Sequence, residues 1–204
     1  MNAKSLSYDL KAICQQRPPD RDDLLAAVRS GFEPRYLFFW GHRPSKDGRP
    51  SKSCFSQWFD AAFVLAGTRY ATAEHFMMAE KARLFGDEAT RQQVLAAATP
   101  AEAKKLGRQV QGFDDEQWLS LRMEVVVQAN HAKFSQDPAL RDFLLGTGDQ
   151  VLVEASPVDS IWGIGLAADH LDALRPEQWP GLNLLGFALM HVRARLRAAG
   201  TDAT

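Results

Sequence analysis

Between Thr72 and Gly146 the chain is cut into helical lengths by a series of start and stop signals. Thr72 stands before Ala73–Phe85, and Gly86 follows that stretch. Thr99-Pro-Ala-Glu102 has the form of a capping box, with Pro100 at the first helical position, where its missing N–H removes no bond; Gly107 ends this short helix. Asp114 opens a longer helix whose one face carries Trp118, Leu121, Val125 and Ala129. Asp137-Pro138 opens another, closed by Gly146. In each case an oxygen side chain accepts from the unbonded N–H groups of a first turn, and glycine takes the left-handed conformation that ends a helix. There is no βαβ alternation and no Gly-rich phosphate loop, so the pattern predicts a helix-rich α+β fold with a few short strands.

The flanks are sparser. Arg35–Trp40 is aromatic-rich and predicts a strand, and a second is predicted around Cys54–Phe59. Between them, residues 41–52 carry Gly, Pro and charge and no apolar side chain, which predicts a loop. Val151–Glu154 is short and strand-like. A last helix is expected near Leu182–Arg197, with an apolar stripe of Leu182, Leu185, Leu189, Val192 and Leu196. Arg193, Arg195 and Arg197 are expected at its C-terminal end, where the dipole favours cations. Residues 1–34 form an N-terminal appendage with one short helix, Asp22–Ser30, capped by Asp20 and closed by Gly31.

Composition narrows the function classes. At 46% hydrophobic and 24% charged, the 204 residues suit one folded core, and a net charge of −1 gives no reason to expect nucleic-acid or acidic-membrane binding from overall charge. Cys14 and Cys54 are far apart and imply neither a disulfide framework nor a metal site. Lys4, Lys11, Arg17 and two prolines within the first twenty residues argue against a secretory signal, and no apolar run reaches the length of a membrane span. A cytoplasmic location is the default expectation. The five histidines make no HExxH pattern, and a G-x-S-x-G nucleophile elbow is absent.

Four segments carry groups suited to chemistry. In Tyr70–Lys81, Glu74 and Lys81 are seven residues apart and share nearly one helix face, with Met77 and Met78 between them. They suit a pocket wall; spacing alone favours an amphipathic helix with solvated ends. In Leu152–Gly165, Glu154, Ser156, Asp159 and Trp162 surround a proline and two glycines. Here Trp162 suits stacking on a base or sugar and Asp159 suits a ribose hydroxyl or a water, while a plain loop plug, with Asp159 capping a turn, stands level with that reading. Asp114–Trp118 has the acids of a helix N-terminus, and Trp118 reads by default as core. The loop residues His42, Arg43, Lys46, Arg49 and Lys52 suit a phosphate, or simply solvent.

Together these segments resemble the NADAR family, also called YbiA-like, over about residues 36–198. The resemblance rests on ordered motifs: Phe39-Trp40 with Ser56-Gln57-Trp58; Tyr70 to Lys81; Lys105-Leu-Gly107-Arg108; Trp118 with Arg122; Asn130 and Lys133-Phe134; Leu144 to Gly148; Glu154 to Gly165; and Asn183-Leu-Leu-Gly186 with Leu189-Met190 and Arg193. It implies a single YbiA-like α+β domain, spanning 35–200 here, that cleaves N-glycosidic bonds of ribosylated substrates. Two activities belong to relatives: hydrolysis of ribosylaminopyrimidine intermediates of riboflavin synthesis, and removal of ADP-ribose from guanine, which would bring ADP-ribosylated nucleic acid as a partner. It further implies Glu74, Lys81 and Asp159 as catalytic, and Trp118, Trp162, Tyr70, Gln57, Ser156 and Asn183 as substrate-binding. No metal or other cofactor is implied. Ile164 stands where some relatives have a carboxylate between the two glycines, so no role for an acid transfers there.

Breaking a ribosyl C–N bond develops cationic character at C1′ and negative charge on the leaving base, so a carboxylate is needed near the sugar and a donor near the base. Glu74 is the first choice for the carboxylate. Lys81 pairs with it or with a phosphate, or, as a neutral amine, attacks C1′. Two other classes remain open from sequence: a non-catalytic module binding ADP-ribose or a related nucleotide, and a regulatory partner using the N-terminal appendage.

Overall fold

The computed structural model describes residues 9–201. In chain order its elements are α1 (Leu10–Gln16), α2 (Arg21–Arg29), β1 (Tyr36–Phe39), a 3-10 turn at Lys52–Phe55, β2 (Phe63–Leu65), β3 (Thr68–Tyr70), α3 (Ala73–Leu84), α4 (Glu88–Ala96), α5 (Pro100–Gly107), α6 (Asp115–Gln136), α7 (Pro138–Gly146), β4 (Val151–Glu154), a second 3-10 turn at Pro176–Gln178, and α8 (Leu184–Thr201). The fold is helix-rich α+β, as the sequence predicts. It divides into two compact units: one runs up to Trp40 and resumes at Leu145, and the other is Gly41–Leu144. Among the described residues no helix is long and apolar enough to cross a membrane.

In the Gly41–Leu144 unit, α4, α5 and α6 all pack on α3. The caps read from sequence are present: Thr72 accepts from the His75 N–H, Thr99 from Glu102 and Asp114 from Gln117. The Glu102 carboxylate reaches back to the N–H of Ala98 at 2.9 Å, one residue before the cap. The helix α3 is not amphipathic. Every residue from Ala73 to Ala79 is buried, so the reading of a surface helix with solvated ends does not hold for Glu74. A hairpin unread in the sequence pairs Phe63 with Tyr70, and its turn residues Ala66 and Gly67 have φ of 49° and 77°. Positive φ at both central positions matches the strand twist.

The strand expected around Cys54–Phe59 is a 3-10 turn at Lys52–Phe55. The cause lies in α6: the fully buried Lys133 donates from Nζ to the carbonyls of Cys54 at 2.5 Å and Ser56 at 3.0 Å. Carbonyls that converge on one ammonium do not also extend along a ladder.

In the other unit, β1 and β4 pair in parallel, Tyr36 with Val151 through Phe39 with Glu154. Helix α8 packs against β4. The last helix therefore begins two residues later than the sequence stripe, with Leu182 outside it and 39% exposed, while Leu185, Leu189, Val192 and Leu196 are buried. It also runs on to Thr201, so the three arginines are not its C-terminal turn, and Arg193 is buried. Asp20 caps α2 in a capping box completed by Asp23. Helix α1, which the sequence reading did not find, is fixed to α8 by His191, whose Nδ1 donates to the Cys14 carbonyl at 2.7 Å.

Candidate active site

The Gly41–Leu144 unit gathers a buried acid, a half-buried amine and a set of aromatic faces. Glu74 sits in the first turn of α3, near the positive end of the helix, and is 2% exposed. Its N–H donates to the Gln57 carbonyl at 3.0 Å. A carboxylate so deeply buried costs free energy that a solvated helix end avoids, which separates Glu74 from an ordinary capping acid.

Two turns along, Lys81 Nζ lies 3.9 Å from the ring centre of Phe113 and 5.8 Å from that of Trp118. Burial lowers the Lys81 pKa from its usual value, and Asp115 opposes that. The ring faces favour the ammonium as well, so burial and the quadrupoles pull in opposite directions. Trp118 is half-buried beside the amine, where the sequence default put it in the core. Phe113, which carries no sequence signal beyond its apolarity, packs edge-on against Phe85 at 5.1 Å and forms the nearer wall. Glu80 on α3 accepts from Arg83 at 2.9 Å.

Behind Glu74, Gln57 is 5% exposed; its Oε1 accepts from Asn130 Nδ2 at 2.8 Å, and its amide approaches the Met77 sulfur at 3.9 Å. Asn130 also donates to the Val126 carbonyl, which fixes the pair to α6. Tyr70 is 4% exposed, packed edge-on against Phe76 at 4.9 Å and beside Phe63. His75 has burial lowering its pKa; Nε2 donates to the Ala97 carbonyl, so neutral Nδ1 accepts from the Thr72 hydroxyl at 2.8 Å. The loop residues Arg43, Lys46, Arg49 and Lys52 are exposed, while His42 packs on Trp58 at 5.5 Å with Lys104 Nζ 5.7 Å from the same ring.

The other predicted residues lie in the second unit, in the loop between β4 and α8. Asp159 Oδ1 accepts from the N–H groups of Ile161 at 2.9 Å and Trp162 at 2.8 Å, so the turn-capping reading describes one of its oxygens. Trp162 is half-buried and Ser156 is 3% exposed. Asn183 is fully buried with φ of 54°; its Oδ1 accepts from the Glu154 N–H at 3.0 Å and its Nδ2 donates to the Leu152 carbonyl at 3.0 Å. It clamps the end of β4 to the start of α8. A side chain at Gly163 would meet the Glu154 carbonyl at 2.8 Å and the Asp159 carbonyl at 3.0 Å. Only glycine allows that approach. Sequence reasoning marked this loop; it quoted Asn130 and Lys133 as motif residues without a role and did not mark Phe113, because the partners of all three lie far away in the chain. Among the described residues no group of three or more His, Cys, Asp or Glu side chains is placed to hold a metal ion.

Residues 38–197 match the NADAR domain. An N-glycosidase of Acanthamoeba polyphaga mimivirus is 41% identical, over 78% of this chain and 95% of the viral protein. A riboflavin biosynthesis protein of Vibrio vulnificus is 32% identical over 70% of this chain, a match that spans 35% of that longer protein. The NMR structure of the Escherichia coli protein YbiA superposes with a TM-score of 0.66 at 25% identity, covering 84% of this chain and 90% of that one. The chain belongs to the NADAR family.

Proposed function

We propose that this NADAR member hydrolyses the bond between C1′ of a ribosyl group and the nitrogen of a base, with ribosylaminopyrimidine intermediates of riboflavin synthesis as its substrate class. The chain is a hydrolase acting on N-glycosyl bonds. The observation that carries the assignment of residues is the burial of Glu74 on the helix face that also bears Lys81, with Phe113 and Trp118 beside the amine.

As C1′–N breaks, the bonding pair leaves with the base nitrogen and C1′ becomes cationic. The Glu74 carboxylate stabilises that charge and takes a proton from the attacking water, whose oxygen bonds to C1′. The base nitrogen receives a proton from solvent, the proton on Glu74 returns to solvent, and Lys81 as an ammonium neutralises charge on the base or on a substrate phosphate. Trp118 offers a stacking face. Gln57 fixes the backbone at Glu74, and Tyr70 shapes the start of α3. The resemblance to the family also gives the loop after β4 a part, with Asp159 for ribose hydroxyls or proton transfer, Trp162 for stacking, and Ser156 and Asn183 for ordering that loop. The riboflavin class is supported by the name of the Vibrio relative.

One observation favours a second substrate class, ADP-ribosylated guanine in nucleic acid: the exposed cations of residues 41–52 lie in the chain next to the His42–Trp58–Lys104 cluster, a charge-and-ring pattern suited to a phosphodiester strand. The deciding experiment is base release followed by mass spectrometry on a ribosylaminopyrimidine phosphate, ADP-ribosylated guanine DNA, NAD and ADP-ribose. Release from the first alone is expected; release from the DNA alone moves the assignment to the second class. Binding of any of these without release would overturn the catalytic roles. Borohydride during turnover tests the attacking-amine alternative, and an adduct on Lys81 would replace the water mechanism.

A further inference from the structure

The unit that holds β4 and α8 contains a cavity of about 310 Å³, formed where α1 lies along α8. Among the described residues that line it, none belongs to the Glu154–Asn183 loop. Its floor is apolar, from Leu10, Cys14, Phe32 and Met190. Among the described residues its polar wall holds three cations, Lys11, Arg193 and Arg197, against one carboxylate, Asp149. Much of the wall lies outside residues 38–197, since Leu10, Lys11, Cys14 and Phe32 precede the family match.

The charges are unevenly satisfied. Asp149 is bridged to Lys11 at 2.7 Å and to Arg197 at 3.1 Å. Arg193 is 5% exposed, and among the described residues its side-chain hydrogen-bond partner is the Thr147 hydroxyl, at 2.7 Å from Nη1. A guanidinium has five N–H donors, and a neutral hydroxyl does not balance its charge. Burial and the neighbouring Arg197 bring its pKa down to about 10, which leaves it cationic at neutral pH. A buried cation that forms no ion pair among the described residues, facing a cavity, is an arrangement that an anion completes.

We propose that this cavity binds a small organic carboxylate with a compact apolar body. Arg193 and Arg197 hold the carboxylate, and Leu10, Cys14, Phe32 and Met190 cover the body. The planar fork of arginine matches a carboxylate in two parallel bonds. A volume near the lower end of ligand pockets favours a short chain or a single ring over a nucleotide.

The test is calorimetry and thermal unfolding of the full chain with octanoate, 1-octanol and inorganic phosphate. Saturating octanoate is expected to raise Tm by about 4 °C. Octanol and phosphate should each leave Tm within about 1 °C, because one lacks the charge and the other the apolar body. Ala194→Trp, which fills the cavity from α8, and Arg197→Gln should each weaken octanoate at least tenfold. Glu74→Gln should bind it as the wild type does, so loss of the glycosidase assignment leaves this site standing. An equal Tm rise with octanol or with phosphate overturns the proposal. So does unchanged octanoate affinity in both Ala194→Trp and Arg197→Gln.

Discussion

The two regions that carry the predicted site residues are built in opposite ways. On α3 the chemistry is held by a helix: Glu74 and Lys81 take their positions from a helix buried on nearly all sides, and Lys81 stands against the rings of Phe113 and Trp118. In the loop after β4 the backbone does the holding. Ile164 and Gly165 donate to the carbonyls of Glu154 and Asp159, Gly181 donates to Ile164, and Asn183 ties the ends together. A helix tolerates exchange of a functional group at fixed geometry, whereas a loop held by close backbone contacts does not tolerate a change of shape. Substitutions on α3 should therefore cost activity and little stability, and those in the loop should cost both.

The largest expected effect is Glu74→Gln, about a thousandfold loss of kcat/KM in a base-release assay with the helical circular dichroism unchanged. Activity within a few-fold of wild type would remove Glu74 from the chemistry. Next is Lys133, whose pKa burial lowers to about 8 from 10.5. Folding favours the neutral amine more than the unfolded chain does, so its contribution to stability is fully present above pH 10.5 and is lost as pH falls to about 8. Denaturant unfolding should show wild type gaining up to about 3 kcal/mol over that window relative to Lys133→Met. A flat difference would mean that the two carbonyl bonds hold the ammonium against burial.

Gly163→Ala tests the loop side of the comparison. Its added carbon has backbone atoms as neighbours, which do not yield, so a loss of about 2 kcal/mol in chemical denaturation is expected together with lower activity. Full stability would show the loop to be as adaptable as a surface turn. Asp159→Asn keeps the Oδ1 acceptor for Ile161 and Trp162, so stability should hold while kcat/KM falls about tenfold. Near-normal kcat/KM would leave Asp159 with the turn alone. The smallest effect is Phe113→Ala, about a threefold rise in KM with kcat little changed, since one cation–π wall of Lys81 remains in Trp118.

Local chemistry was readable in the chain. The caps at Thr72, Thr99 and Asp114 act over three residues, so neighbours alone decide them, and the structure contains all three. The shared face of Glu74 and Lys81 follows from helical period in the same way. The sequence also marked the Glu154–Gly165 loop through its Pro and Gly content. Helix α1 escaped because seven residues are too few for a periodic stripe to stand out.

Tertiary structure decided whatever depends on partners distant in sequence. The aromatic run at Cys54–Phe59 has strand composition, and Lys133 turns it into a 3-10 turn from 77 residues away or more. The parallel pairing of Tyr36–Phe39 with Val151–Glu154 joins segments that local pattern cannot relate. Whether Glu74 was a solvated capping acid or a buried carboxylate depended on α4, α5 and α6 closing over α3, because burial is a property of the packed unit and period reports only which side chains share a face.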